Sequence, residues 1–165
     1  MAEPKRRMDP YDRIGFRSVL TPEGVCMGTS IKVSVGDKLP LFVRDGTVEH
    51  WNRFAAVNDE FAAHHWDPEV AKEEGFPAPF CMAPLQLAFF HAMLRDWTGE
   101  DGRIVSVAAK LKGPFFKGQT LTGLACITEI NVINGEKHVN LELSQTDETN
   151  RTIATGTAQV ALSDD

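Results

Sequence analysis

Residues 58–97 read NDEFAAHHWDPEVAKEEGFPAPFCMAPLQLAFFHAMLRDW, and the rest of the chain is organised around this stretch. From Pro84 onward it carries Leu85, Leu87, Ala88, Phe89, Phe90, Ala92, Met93, Leu94 and Trp97, interrupted only by Gln86, His91, Arg95 and Asp96. A helix with so little polar surface is expected to be wrapped by other elements. It is predicted to begin at Ala83 or Pro84 and to end near Thr98-Gly99. Just upstream, Asp59, Glu60, His64, His65 and Asp67 crowd together. A polar cluster on the approach to a buried helix can set a general base beside an apolar slot.

Working back from the cluster, Asp67 has the form of a helix cap with Pro68 at the first helical position, for a short helix that stops at Gly75. The two prolines of Phe76-Pro77-Ala78-Pro79-Phe80 force extended or turn geometry before the long helix. Further upstream, Thr47 is a predicted N-cap for a helix over 49–57 that turns Trp51, Phe54 and Ala55 inward. Gly36-Asp37 and Asp45-Gly46 are predicted turns, and Val25 to Val35 reads as a strand. Downstream, Val105, Val107, Ala109 and Leu111 alternate with polar or small residues as in a strand. Strands are also predicted over 121–132, 137–146 and 152–162, with Asn134-Gly135 as a two-residue hairpin turn.

One long helix, one or two short ones and about five strands give an α+β domain, with an antiparallel sheet wrapped around the long central apolar helix. At 165 residues the chain is long enough for one proper core, and it is read as a 1–20 N-terminal extension followed by a 21–165 domain. A net charge of −6 argues against nucleic acid as the main partner. Cys26, Cys81 and Cys126 are far apart and form no CxxC pair, which points to a reducing compartment and no structural zinc. The N-terminal MAEPKRRMDPYDR lacks an apolar run, and no stretch approaches a membrane-spanning length. A cytoplasmic protein with no membrane partner is expected.

Three patterns carry a resemblance. They are His65-Trp66-Asp67-Pro68-Glu69-Val70-Ala71 followed by Gly75-Phe76, then Pro79-Phe80-Cys81-Met82-Ala83, then Phe115-Phe116-Lys117-Gly118-Gln119-Thr120-Leu121. Together they resemble the MaoC-like dehydratases, a hot-dog family that includes the (R)-specific enoyl-CoA hydratases. The resemblance runs from about Val35 to the C-terminus. Where the family reads Gly-Asp-x-Asn-Pro-x-His, the ungapped alignment sets Glu60 at the aspartate, Ala62 at the asparagine, Ala63 at the proline and His65 at the histidine. Asp59 is one residue back and competes with Glu60 for the carboxylate role. The family's His-Gly at the helix start is Met82-Ala83 here.

The resemblance implies a single hot-dog domain and reversible hydration of a trans-2-enoyl-CoA by a carboxylate/histidine pair that activates water. His65 is the implied acid/base residue, with Glu60 or Asp59 as its partner. The backbone N–H of Ala83 is the implied oxyanion donor, at a helix N-terminus that favours negative charge. Lys110, Lys112 and Lys117 suit the phosphates of coenzyme A. His64 is expected to be structural, and a metal site of His64, His65 and Asp67 matches no standard ligand spacing. No metal or redox cofactor is expected, coenzyme A being part of the substrate. The implied partner is an acyl-CoA or acyl-carrier thioester, acted on by a homodimer or higher homo-oligomer whose active sites lie at the subunit interface. The rival readings are a hot-dog thioesterase and a non-catalytic acyl-thioester-binding subunit of a hetero-oligomer.

Overall fold

The computed structural model of the protein describes residues 31–100 and 102–162. The 1–20 extension and most of the Val25–Val35 strand expectation lie outside these residues. Ile31 to Val35 themselves carry no strand. The Gly36-Asp37 turn is present, with Gly36 at φ 93° and the Ser34 N–H donating to the Asp37 carboxylate at 2.8 Å.

The elements in chain order are β1 (Phe42–Asp45), α1 (Val48–Asn58), a 3-10 turn (Ala63–His65), α2 (Pro68–Glu73), α3 (Ala83–Thr98), β2 (Gly102–Leu111), β3 (Thr120–Ile133), β4 (Glu136–Thr146) and β5 (Thr152–Leu162). The five strands form one antiparallel sheet in the order β1-β3-β4-β5-β2. The β3–β4 hairpin turns on Asn134 (φ 53°) and Gly135 (φ 86°), both left-handed as a type I′ turn requires. β1 lies where no strand is predicted. It is short, and it pairs with the start of β3 from Phe42–Gly123 to Asp45–Thr120.

The core lies between α3 and one face of the sheet. Phe90, Met93 and Leu94 of the helix join Leu121, Ala125, Ile127, Val139, Leu141, Leu143, Ala158 and Val160 of the strands in one buried cluster. Each of these side chains other than the alanines contributes roughly 1.5–3 kcal/mol on burial. Gly123 lets helix and sheet approach closely: a Cβ there would stand 3.2 Å from the Met93 sulfur.

The sheet curls around α3 as expected: Gln86, Phe90, Met93, Leu94 and Thr98 are buried, His91, Arg95 and Asp96 are exposed, and Leu87, Phe89 and Trp97 are half-buried. One expectation needs correcting. In β2, the register slips between Ile104 and Ser106, so Val105 is the unpaired bulge residue and is exposed. Ile104 takes the inward position expected of Val105, and Val107 and Leu111 keep theirs.

Gln86 is a core residue. Its carbonyl accepts from the buried Gln145 amide at 2.9 Å, and its own amide lies 3.5 Å from the carbonyls of Gly113 and Ile153. These bonds tie the first turn of α3 to β4 and to the loop after β2.

Candidate active site

The site is built by the segments that lead into α2 and α3. α1 ends at Asp59, which adopts the left-handed conformation (φ 54°) that aspartate tolerates better than most residues. Its backbone N–H returns to the Ala55 carbonyl. The Glu60 N–H is bonded to the same carbonyl at 3.1 Å, and the chain leaves the helix toward the 3-10 turn that carries His64 and His65. Asp67 then caps α2, accepting from the Glu69 N–H at 2.9 Å and the Val70 N–H at 3.4 Å, with Pro68 in the first turn. That carboxylate is therefore committed to the helix end.

Residues 79–81 run antiparallel to 115–117. The Lys117 N–H donates to the Pro79 carbonyl at 2.8 Å and the Cys81 N–H to the Phe115 carbonyl at 2.8 Å, with a bridge between Phe80 and Phe116. The Phe80 carbonyl, fixed in this way, lies 2.7 Å from Nδ1 of His65. A carbonyl oxygen only accepts, so Nδ1 carries the proton and the neutral ring has its lone pair on Nε2. Nε2 faces the Glu60 carboxylate at 3.9 Å. That gap is too long for a direct hydrogen bond, but a single water about 2.8 Å from each atom spans it. The His65 side chain is 6% exposed and that of Glu60 32%, so the carboxylate is the solvent-facing member of the pair. Burial lowers the His65 pKa below its ordinary value. The Phe80 hydrogen bond works against this, His64 adds to it, and Glu60 and Glu74 oppose it. The neutral, proton-accepting ring therefore prevails at pH 7.

Of the two competing acids, Glu60 meets the imidazole, while Asp59 is the terminating residue of α1. His64 makes its polar contact elsewhere. Its Nδ1 is 2.9 Å from the Glu74 carboxylate, and its ring stacks on Phe80 with centroids 5.0 Å apart and planes within 5°. Among the described residues, no group of three or more His, Cys, Asp and Glu side chains is placed to hold a metal ion.

Ala83 opens α3 and Pro84 follows, with Met82 in the cap position and no capping side chain. By helix geometry the Ala83 and Leu85 N–H groups have no partner within the helix, and Pro84 has no N–H. The three lysines are dispersed. Lys110 lines a groove of about 780 Å³ on the sheet face turned away from α3, with Lys38, Leu41, Leu124, Cys126 and Glu142. Lys112 ends the β2 pairing through its N–H to the Ile153 carbonyl. Lys117 is attached by its backbone to Pro79, beside the His65 contact. Neither this groove nor the smaller one between Phe42 and Trp97 borders Glu60 or His65. Cys81 is buried, and burial pushes its thiol above the usual range, which disfavours the reactive thiolate.

No protein-family model and no curated protein matches the sequence. Solved structures do match. The (R)-hydratase from A. caviae involved in PHA biosynthesis aligns over 79% of this chain and 97% of its own at 22% identity and a TM-score of 0.72. A chain of the ChsH1-ChsH2 complex from Mycobacterium tuberculosis aligns over 79% of this chain and 99% of its own, with 20% identity and a TM-score of 0.70. A MaoC-like dehydratase from Rhodospirillum rubrum aligns over 81% and 94%, with 16% identity and a TM-score of 0.68. The chain has the hot-dog fold of the MaoC-like dehydratases. In hot-dog terms α3 is the filling and the five-stranded sheet the wrap, and Glu60 and His65 stand on the segment that leads toward the filling.

The sequence did not disclose the Phe80 carbonyl or Glu74 as parts of this site. The Phe80 contact has no side-chain signature, because any residue supplies a backbone carbonyl. Glu74 reads as the solvated last turn of α2 until that helix is folded back on the 3-10 turn.

Proposed function

We propose that the protein catalyses reversible hydration of a trans-2-enoyl thioester, and the dehydration of the corresponding 3-hydroxyacyl thioester. The observation that carries this reading is the His65 ring, its Nδ1 held by the Phe80 carbonyl and its Nε2 turned to Glu60 across a water-sized gap. Nε2 and the carboxylate are both proton acceptors, so each takes one hydrogen of a shared water in hydrogen bonding. As the water oxygen bonds to C3, one of the two takes a proton and the C2–C3 π pair moves toward the thioester oxygen. The protonated partner then delivers the proton to C2. Addition of water leaves the oxidation state of the substrate unchanged as a whole, so the step calls for no redox partner.

The charge that develops on the thioester oxygen needs a donor, and the Ala83 N–H at the start of α3 is assigned that role. Lys117 is the basic residue whose backbone is anchored to the segment that positions His65, which supports a place for it near the phosphates of coenzyme A or of an acyl-carrier arm. Lys110 and Lys112 remain assigned to the same polyanionic tail. The half-buried apolar flank of α3 supports a homo-oligomer, in which a second copy completes the acyl slot.

One other reading has an observation behind it. Met82-Ala83 stands where the resembling family has His-Gly, and Ala62 where it has asparagine, which suits a non-catalytic subunit of a hetero-oligomer. Incubating the purified chain with crotonyl-CoA separates the readings. Loss of the conjugated-enoyl absorbance without thiol release is the expected result. Thiol release instead indicates a thioesterase. Binding without turnover indicates the subunit.

A further inference from the structure

We propose that His64 is a positioning residue for His65, held in place by Glu74 and the Phe80 ring. This rests on the reading of His65 as the acid/base residue. Three contacts converge on His64. Its Nδ1 is 2.9 Å from the Glu74 carboxylate, its ring lies parallel to Phe80 at 5.0 Å, and it meets the His65 ring edge-on with centroids 4.2 Å apart and planes at 78°. Phe80 is common to both histidines: its ring backs His64, its carbonyl accepts from His65, and its ring also meets His65 edge-on at 5.2 Å. The Phe76 ring packs on that of Phe80 with centroids 4.3 Å apart. Rotation of His65 away from the carbonyl thus requires His64 to leave its stack and its carboxylate.

The pairing follows from local sequence. α2 is short and stops at Glu74 because Gly75 takes a left-handed φ of 90°. That stop returns the chain beside the 3-10 turn and puts Glu74 opposite His64. Among the described residues, the ionisable groups that act on His65 are Glu60, His64 and Glu74. The two members of the outer pair act in opposite senses on its protonation: His64 disfavours the charged ring, and Glu74 favours it.

The test uses the full chain labelled with ¹⁵N-histidine, observed by long-range ¹H–¹⁵N NMR across a pH series, alongside crotonyl-CoA kinetics. His64→Phe keeps a ring on Phe80 but drops the bond to Glu74. Glu74→Gln, at a partly exposed helix end, keeps an acceptor and drops the charge. In wild type, His65 is expected as the Nδ1–H form. In His64→Phe, it is expected to gain Nε2–H form and to titrate at higher pH, and in Glu74→Gln it titrates at lower pH. For His64→Phe kcat falls about tenfold with KM within twofold, less than the roughly hundredfold that a misplacement of about 1 Å can cost. An unchanged His65 spectrum in both variants, or displacement in the same direction in both, overturns the proposal. If the spectra respond as expected but the wild-type chain hydrates no enoyl thioester, the coupling between the histidines stands and the assignment of His65 to hydration falls.

Discussion

Replacing Glu60 by glutamine asks whether the carboxylate is a proton acceptor or a bystander. The side chain keeps its length and its ability to hydrogen-bond water, but loses the basic oxygen that lies 3.9 Å from Nε2 of His65. Removing a positioned acid/base group costs on the order of 10²–10⁴ in rate. At about 1.4 kcal/mol per decade this is roughly 3–5 kcal/mol of barrier. The same change costs little stability. The carboxylate is about one-third exposed, it makes no direct hydrogen bond to the imidazole, and an ion pair of that exposure contributes about 1 kcal/mol at most. The comparison is Asp59→Asn, where asparagine accepts the φ of 54° as readily as aspartate. Initial rates of crotonyl-CoA hydration at pH 7.5, with urea midpoints for each variant, give the answer. The expected pattern is a loss of about a hundredfold or more for Glu60→Gln, rates within about twofold of wild type for Asp59→Asn, and unchanged midpoints for both. Glu60→Gln within threefold of wild type, or Asp59→Asn as impaired as Glu60→Gln, refutes the assignment of the base.

Three further outcomes follow from the same structure. His65 titrates below its ordinary value, first because of burial, so it binds fewer protons in the folded than in the unfolded chain just below pH 6.5; the acid limb of kcat/KM should therefore fall below pH 6.5, and a limb centred above it contradicts the assignment. Asp147 is buried, which raises its pKa, but four hydrogen bonds from Thr149 and Arg151 outweigh this and hold it at about 2. Its contribution is fully present above the unfolded carboxylate range and is lost as pH falls through about 2, so Asp147→Ala should lower stability by about 3 kcal/mol at pH 7, with the gap to wild type closing in urea titrations toward pH 2. Phe90 has no solvent exposure at the α3–sheet contact, so Phe90→Ala should cost about 3–5 kcal/mol, read as a fall in the urea midpoint at constant slope.

Much of the local structure was legible. The Asp67-Pro68 cap, the start of α3 at Ala83, the Asn134-Gly135 turn and the run of β5 over Thr152–Leu162 all follow from short-range rules. Each depends on residues within a turn of one another, where capping bonds and allowed dihedrals decide. β1 escaped because its four residues are a strand only through pairing with β3. The Val105 bulge escaped because perfect alternation fits the sequence of β2 equally well, and the slip is set by β5 across the ladder. The role of Gln86 escaped for a similar reason: a glutamine on an apolar helix serves a site or the core depending on what faces it, and Gln145 faces it here.

By itself the sequence determined the three helices and the strands of the C-terminal half, where several of them stop, and that histidines and acids precede an apolar helix. Those outcomes are local, fixed by backbone sterics and by the period of apolar residues. The tertiary structure alone decided that Glu60 and not Asp59 meets His65, that a carbonyl fifteen residues along the chain fixes the proton on Nδ1, and that Glu74 reaches back to His64. Distances of 2.7 to 3.9 Å between groups on separate segments are set by how α1, α2 and the 79–81 segment come together around the end of α3, and no short-range rule contains that information.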